Sequence, residues 1–226
     1  MIEANLQRVN HRIAQTCSAH GRPPASVTLL AVSKTFGSDA VREAHALGQT
    51  LFGENYVQEA LDKMDALSDL RALLQWHLIG PLQSNKTRAV AERFDWVQSV
   101  DRFKIAQRLS EQRPATLPPL QVCLQVNTSG EASKSGLAPA EVPALARSVA
   151  ALPRLRLRGL MALPAPTDDA DAQHEAHRAL KRLFDQLNAE GLALDTLSMG
   201  MSADLEAAIA EGSTMVRVGT AIFGGR

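Results

Sequence analysis

One lysine stands at the end of an apolar run, Ser26-Val27-Thr28-Leu29-Leu30-Ala31-Val32-Ser33-Lys34-Thr35. A run of this length and composition reads as a strand buried on both faces. Lys34 then sits where a strand opens into a loop. As an ordinary lysine it would be solvated. Closing a buried strand, its charge is costly, the neutral amine is favoured, and it can condense with an aldehyde to a Schiff base.

Two segments near the other end suit an anion. Ser198-Met199-Gly200-Met201-Ser202 joins a strand to the start of a helix, where N–H groups and the dipole favour negative charge. Val218-Gly219-Thr220-Ala221-Ile222-Phe223-Gly224-Gly225 offers further N–H groups beside a glycine. Each has a plainer reading: Ser202 as a helix cap, Gly219 as a turn. Taken together, and opposite Lys34, they suit a phosphate-bearing aldehyde, of which pyridoxal phosphate is the common one.

Other polar residues close strands: Asn55, His77, Asn127 and Arg217. His77 reads more ordinarily as a satisfied core histidine. Gln83-Ser84-Asn85-Lys86 reads equally as a helix cap. Lys134, in the polar loop Ser129–Gly136, sits in a lid-like segment whose default reading is a solvated loop, and its spacing is not that of a Walker A loop. His174 and His177 lie three apart without a third ligand nearby, so no metal site is expected.

The elements that must position these residues follow a regular alternation. Apolar positions Ile2, Leu6, Val9, Ile13 and Cys17 mark a leading helix over 2–19. Strands are expected up to Lys34 and over 50–53, 74–80, 96–100, 120–127, 155–161, 196–199 and 215–218, with helices over 39–47, 54–67, 84–93, 101–113, 139–152, 170–190 and 202–211 between them. Eight βα units in about 200–250 residues predict a closed (β/α)8 TIM barrel with one extra N-terminal helix. An open doubly wound sheet is the alternative, disfavoured because no glycine-rich dinucleotide fingerprint follows the first strand. No composition break divides residues 1–226, so one domain is expected.

Bulk properties exclude some roles. The 24 basic and 24 acidic residues of this 226-residue chain give a formal net charge of zero, against a general nucleic-acid or membrane-surface binder. No apolar run approaches the ~20 residues that span a bilayer. No signal peptide is read at the N-terminus, and Cys17 and Cys123 read as two buried free thiols, which points to the cytoplasm.

Three longer stretches carry a resemblance. They are Ala31-Val32-Ser33-Lys34-Thr35, Phe52-Gly53-Glu54-Asn55-Tyr56-Val57-Gln58-Glu59 and Trp76-His77-Leu78-Ile79-Gly80-Pro81-Leu82-Gln83-Ser84-Asn85-Lys86. Gln125-Val126-Asn127, Gly130–Gly136, Gly159-Leu160-Met161 and the long run from Leu197 to Gly224 follow in order. With these motifs the chain resembles the YggS/PROSC-type pyridoxal-phosphate homeostasis proteins. The resemblance implies a barrel like the N-terminal domain of alanine racemases, with pyridoxal 5'-phosphate as an internal aldimine on Lys34. It implies Arg217 facing the pyridine nitrogen, a phosphate held by Ser198, Ser202, Gly219 and Thr220, and Asn55 and His77 around the ring. Phe36 and Pro81 depart from the family pattern at the rim.

A guanidinium stays protonated and cannot give a proton to the pyridine nitrogen, so the ring would be a weak electron sink. A racemase also needs a second base on the far face of its substrate. Alanine racemases take a tyrosine from a further domain, whereas the one tyrosine here, Tyr56, opens a helix after the second strand and is poorly placed. The expectation is therefore a cofactor buffer or carrier in vitamin B6 and amino-acid homeostasis, monomeric, with apo-enzymes as recipients and no catalytic residue. A single-domain racemase or related amino-acid enzyme is the alternative.

Overall fold

Parallel strands apolar on both faces need helices over one face and one another's side chains on the other. The computed structural model, which describes residues 1–130 and 135–225, meets both needs by closing eight parallel strands into a barrel in sequence order. The chain starts with α1 (Ile2–Ala19), then runs β1 (Thr28–Val32), α2 (Ser38–Ala46), β2 (Leu51–Glu54), α3 (Val57–Ala66), β3 (Gln75–Leu78), α4 (Thr87–Arg93), β4 (Trp96–Val100) and α5 (Phe103–Gln112). It continues through β5 (Leu120–Val126), α6 (Val142–Ala150), β6 (Leu155–Ala162), α7 (Ala170–Ala189), β7 (Thr196–Ser198), α8 (Leu205–Ala210), β8 (Met215–Val218) and α9 (Thr220–Phe223).

The pairing of β1 with β8 decides between barrel and open sheet. Leu29 lies beside Val216, Leu30 beside Arg217 and Ala31 beside Val218. This seam makes the lysine strand and the arginine strand neighbours although they stand at opposite ends of the sequence.

Strand alternation sorts the side chains. Leu29 and Ala31 join the layer between sheet and helices, while Leu30 and Val32 meet Ile79 and Met215 inside the barrel. Trp96, Cys123 and Met161 fill the interior further round. Both cysteines are free and buried, and burial pushes the Cys123 thiol up to about 12.

The leading helix is built into the fold. Ile2, Leu6, Val9, Ile13 and Cys17 of α1 are buried, and the helix packs on α8 and α9. Arg12 donates to Ser202 O at 3.1 Å and pairs with Glu206, and Asn5 donates to Ile222 O at 2.8 Å. It thus braces, from outside, the Ser202 loop and α9.

Differences from the expected elements are local. The helix expected from residue 54 begins at Val57, and the one expected from Ser84 opens as a 3-10 turn over Ser84–Lys86. The short α9 was not anticipated, because a four-residue helix is too brief for periodicity to register. Strand β1 ends at Val32, two residues before Lys34.

Candidate functional site

A cavity of about 480 Å³ opens at the C-terminal mouth of the barrel. Its walls include Lys34, Asn55, Ser202, Arg217, Gly219 and Thr220, brought together from the ends of four strands, β1, β2, β7 and β8. The volume falls within the ordinary range for a small-molecule site.

Lys34 occupies the turn after β1 and is exposed. This corrects the expectation of a lysine whose charge is buried: the chain leaves the sheet early, and the amine reaches the cavity wall from the rim. Thr35 behind it has a φ of +69°, in the left-handed region that threonine rarely adopts.

Arg217 lies deeper, 2% exposed, on the interior face of β8. It donates to Ser198 Oγ and to Ala162 O, both at 2.7 Å. No carboxylate pairs with it among the described residues. Burial pulls its pKa down to about 10, opposed by the charge of Asp204, so it remains a cation at neutral pH. A buried cation lining a cavity without an anionic partner is a standing site for an acceptor.

Ser198 and His77 do not line the cavity. They form a chain below it. Ser198 Oγ donates to Gln98 Oε1 at 2.5 Å, and Gln98 Nε2 meets His77 Nδ1 at 2.9 Å. With the amide donating, Nδ1 is the acceptor and the imidazole carries its proton on Nε2, which has no partner among the described residues. His77 stacks on Trp96 with centroids 4.8 Å apart. Burial, with Arg158 nearby, pushes its pKa down to about 3, so it is neutral. These side chains reach the site only through Arg217, whose guanidinium they hold in place.

Asn55 follows β2 with its Oδ1 buried and without a hydrogen-bond partner among the described residues. Its backbone packs so closely on Gly80 that a Cβ there would lie 2.2 Å from Asn55 O. Gly219 is constrained in a milder way, since a Cβ would stand 3.0 Å from Val32 O across the β1–β8 seam. In the first turn of α9 the Ile222 N–H is taken by Gly219 O at 2.9 Å, and Thr220 brings a hydroxyl to the cavity wall. On the other side, the loop carrying Ser202 is ordered from beneath. His177 meets Asp204 Oδ2 at 2.9 Å, and the Met201 N–H donates to Asp204 Oδ1 at 2.7 Å. Burial alone would raise the Asp204 carboxyl, but these bonds outweigh it and hold it below its usual range.

His174 and His177 therefore serve separate carboxylates, His174 meeting Glu211 at 2.8 Å. Among the described residues no cluster of His, Cys, Asp and Glu is suited to a metal. Phe36 stacks near Phe223 of α9, with centroids 5.2 Å apart, at the cavity rim. Lys134 lies outside the described residues.

Gln98 escaped the sequence reading, as did the packing of Lys63 against Glu54 at 2.8 Å and Glu59 at 2.6 Å behind the Lys34 turn. The Glu59–Lys63 spacing of four was legible, but it is also the ordinary spacing of a solvated helix pair.

The chain matches the model of the alanine racemase N-terminal domain over residues 4–226. A protein of Pseudomonas aeruginosa named pyridoxal phosphate homeostasis protein is 64% identical over 225 residues, covering 100% of this chain and 96% of its own. The chain belongs to the pyridoxal phosphate homeostasis protein family. A solved protein of unknown role from Bifidobacterium adolescentis is 37% identical, with a TM-score of 0.93 over 98% of this chain and 94% of its own. PipY of Synechococcus elongatus, solved with PLP bound, is 40% identical, with a TM-score of 0.82 over 94% of this chain and 100% of its own.

Proposed function

We propose that the chain, acting over residues 1–226 as one cofactor-binding barrel, holds pyridoxal 5'-phosphate and serves as its buffer or carrier in vitamin B6 and amino-acid homeostasis. The observation that carries this reading is the cation without an anionic partner, Arg217, at the wall of a cavity whose other ionisable lining side chain, among the described residues, is the exposed Lys34. The orphaned Asn55 Oδ1 and the hydroxyls of Ser202 and Thr220 fit the same ligand, which needs an amine, a donor to a ring nitrogen and a phosphate cradle. The relative that binds PLP supports it.

Bound there, the cofactor would supply an electrophilic aldehyde and an electron-withdrawing ring. The Lys34 amine would condense with that aldehyde to a Schiff base, one C=N bond forming and one water leaving. Arg217 would donate to the pyridine nitrogen while keeping its own proton, held by Ser198 and the Ala162 carbonyl. Ser202, Gly219 and Thr220 would receive the phosphate. Asn55 would lie beside the ring. His77 and Ser198 would act on the ring only indirectly, by fixing Arg217.

A carrier rather than an enzyme is favoured by what lines the cavity. A racemase needs acid–base groups on both faces of its substrate. Among the described residues the cavity wall carries no carboxylate and no second amine beside Lys34, and Tyr56 is 57% exposed and not part of the wall. Among the described residues no helix is long and apolar enough to cross a membrane. We place the protein in the cytoplasm, as a monomer that passes its cofactor to apo-enzymes.

The test is to add pyridoxal phosphate, record the visible spectrum, reduce with borohydride and map the adduct by mass spectrometry. The expected result is a single reduced adduct on Lys34, absent from Lys34→Ala. No adduct, or one elsewhere, refutes the reading. Incubation of the loaded protein with L-alanine checks the enzyme alternative, which is supported only by D-isomer formation well above that of free cofactor.

A further inference from the structure

Behind Lys34, on the outer face of the sheet, lies a charged cluster that the cavity does not contain. Ser33 and Glu54 both point away from the barrel interior, toward α3, and both are fully buried. Lys63 of α3 is 5% exposed. An ammonium has three N–H donors, and here each has an acceptor. Lys63 Nζ donates to Ser33 O at 2.7 Å, to Glu54 Oε1 at 2.8 Å and to Glu59 Oε1 at 2.6 Å.

The same two carboxylates also take hydrogen bonds from the Lys34 turn. Ser33 Oγ donates to Glu54 Oε1 at 2.5 Å, and the Thr35 N–H donates to Glu59 Oε1 at 2.5 Å. The Ser33 N–H is held by Gly53 O at 3.0 Å. Both neighbours of Lys34 are therefore tied to one ammonium, directly or through a shared carboxylate oxygen. Thr35 has its left-handed backbone in the middle of this arrangement, a conformation that persists only when its surroundings over-determine it. Burial pushes the Glu54 carboxyl up, and Lys63 and Ser33 oppose that, so the carboxylate depends on the clamp it completes.

A buried ion cluster is weak evidence for stability, because desolvation offsets the attraction. Its geometry is better explained by what it holds. We propose that Lys63, with Glu54 and Glu59, is a positioning group that fixes the Ser33–Thr35 turn and so presents the Lys34 amine to the cavity. This rests on the reading of Lys34 as the residue that carries pyridoxal phosphate. Lys63 itself is no second acceptor for the aldehyde, since all its protons are engaged and its nitrogen faces away from the cavity.

The experiment uses the full chain, pyridoxal phosphate as probe, and four variants. Glu59 is partly exposed, with a side chain 30% accessible, so Glu59→Ala removes the Thr35 anchor while sparing the core. Amide exchange over residues 33–36, measured without cofactor, is expected to speed up by about tenfold or more in Glu59→Ala and in Lys63→Met. The rate of the borohydride-trapped adduct on Lys34 is expected to fall by about tenfold or more in the same two variants, as misplacement of a reacting group does. Glu59→Gln keeps the acceptor oxygen and is expected to recover most of that rate. The urea midpoint of Glu59→Ala should stay near that of the unaltered protein, which separates positioning from general destabilisation. Unchanged exchange in Glu59→Ala, or unchanged trapping rates in both variants, overturns the proposal. If the unaltered protein forms no Lys34 adduct while Lys34→Ala behaves identically, the ligand reading fails and takes the positioning role with it, even where exchange responds.

Discussion

Acid should unfold this protein through His77 before most carboxylates are reached. The imidazole is fully buried, accepts from Gln98, and has its pKa pushed down to about 3 from a usual value of 6.5. The unfolded chain therefore binds a proton between these two values that the folded chain refuses. Stability is complete above the unfolded pKa and declines as pH falls through the window, levelling only below the folded value. The limiting slope is about 1.4 kcal/mol per pH unit for one proton. From pH 7.5 to pH 5 the loss from His77 alone is about 2 kcal/mol, a substantial share of the total for an ordinary domain. Urea unfolding at pH 7.5, 6.5, 5.5 and 5.0 measures it, with His77→Gln as the comparison. The variant is expected to be less stable at every pH, because Gln98 and the Trp96 stack are disturbed, yet its stability should fall by about 2 kcal/mol less over that interval. Parallel pH profiles for the two proteins would refute both the neutral assignment and the one-way chain built on it.

Further outcomes follow from the same geometry. Arg217→Met should weaken retention of pyridoxal phosphate by at least about tenfold, roughly 1.4 kcal/mol, measured by dialysis against limiting cofactor. Gln98→Leu leaves the Ser198 hydroxyl proton and the His77 Nδ1 without their partners and should cost about 1–3 kcal/mol in urea unfolding, while shifting the spectrum of the loaded protein through Arg217. Gly80→Ala forces Asn55 off the cavity wall, so both the thermal midpoint and cofactor binding should fall, whereas a Cβ at the open Gly37 should leave the midpoint nearly unchanged. Cys17 and Cys123 are wholly inaccessible, so an aromatic disulfide reagent should react slowly with the native protein and with both thiols after denaturation.

The barrel was legible because its strands are buried on both faces and so appear as continuous apolar runs, each followed by a helical period. Strand ends marked the mouth, and that alone singled out Lys34, Asn55 and Arg217. Depth along the barrel axis is not written in the pattern. Ser198 and Ser202 both flank one glycine, yet one lies in the interior chain and the other on the cavity wall. Gln98 escaped because a polar residue in a short strand reads as a solvent-facing position, whereas in a closed barrel the alternate face is also interior. Lys63 escaped for the converse reason. Its pairing with Glu59 looks like surface decoration until the fold brings Glu54 and the Ser33 carbonyl to the same nitrogen.

The seam between β1 and β8 also has a consequence for the order of synthesis. Lys34 leaves the ribosome about 180 residues before Arg217, which at ordinary translation speeds is a delay of roughly ten to forty seconds. Through that interval the amine exists without the neighbouring strand that carries Arg217. A nascent or prematurely terminated chain has the nucleophile and no cavity, and it has no means of retaining an aldehyde reversibly bound to one amine. A fragment that stops before β8 is therefore expected to retain no pyridoxal phosphate.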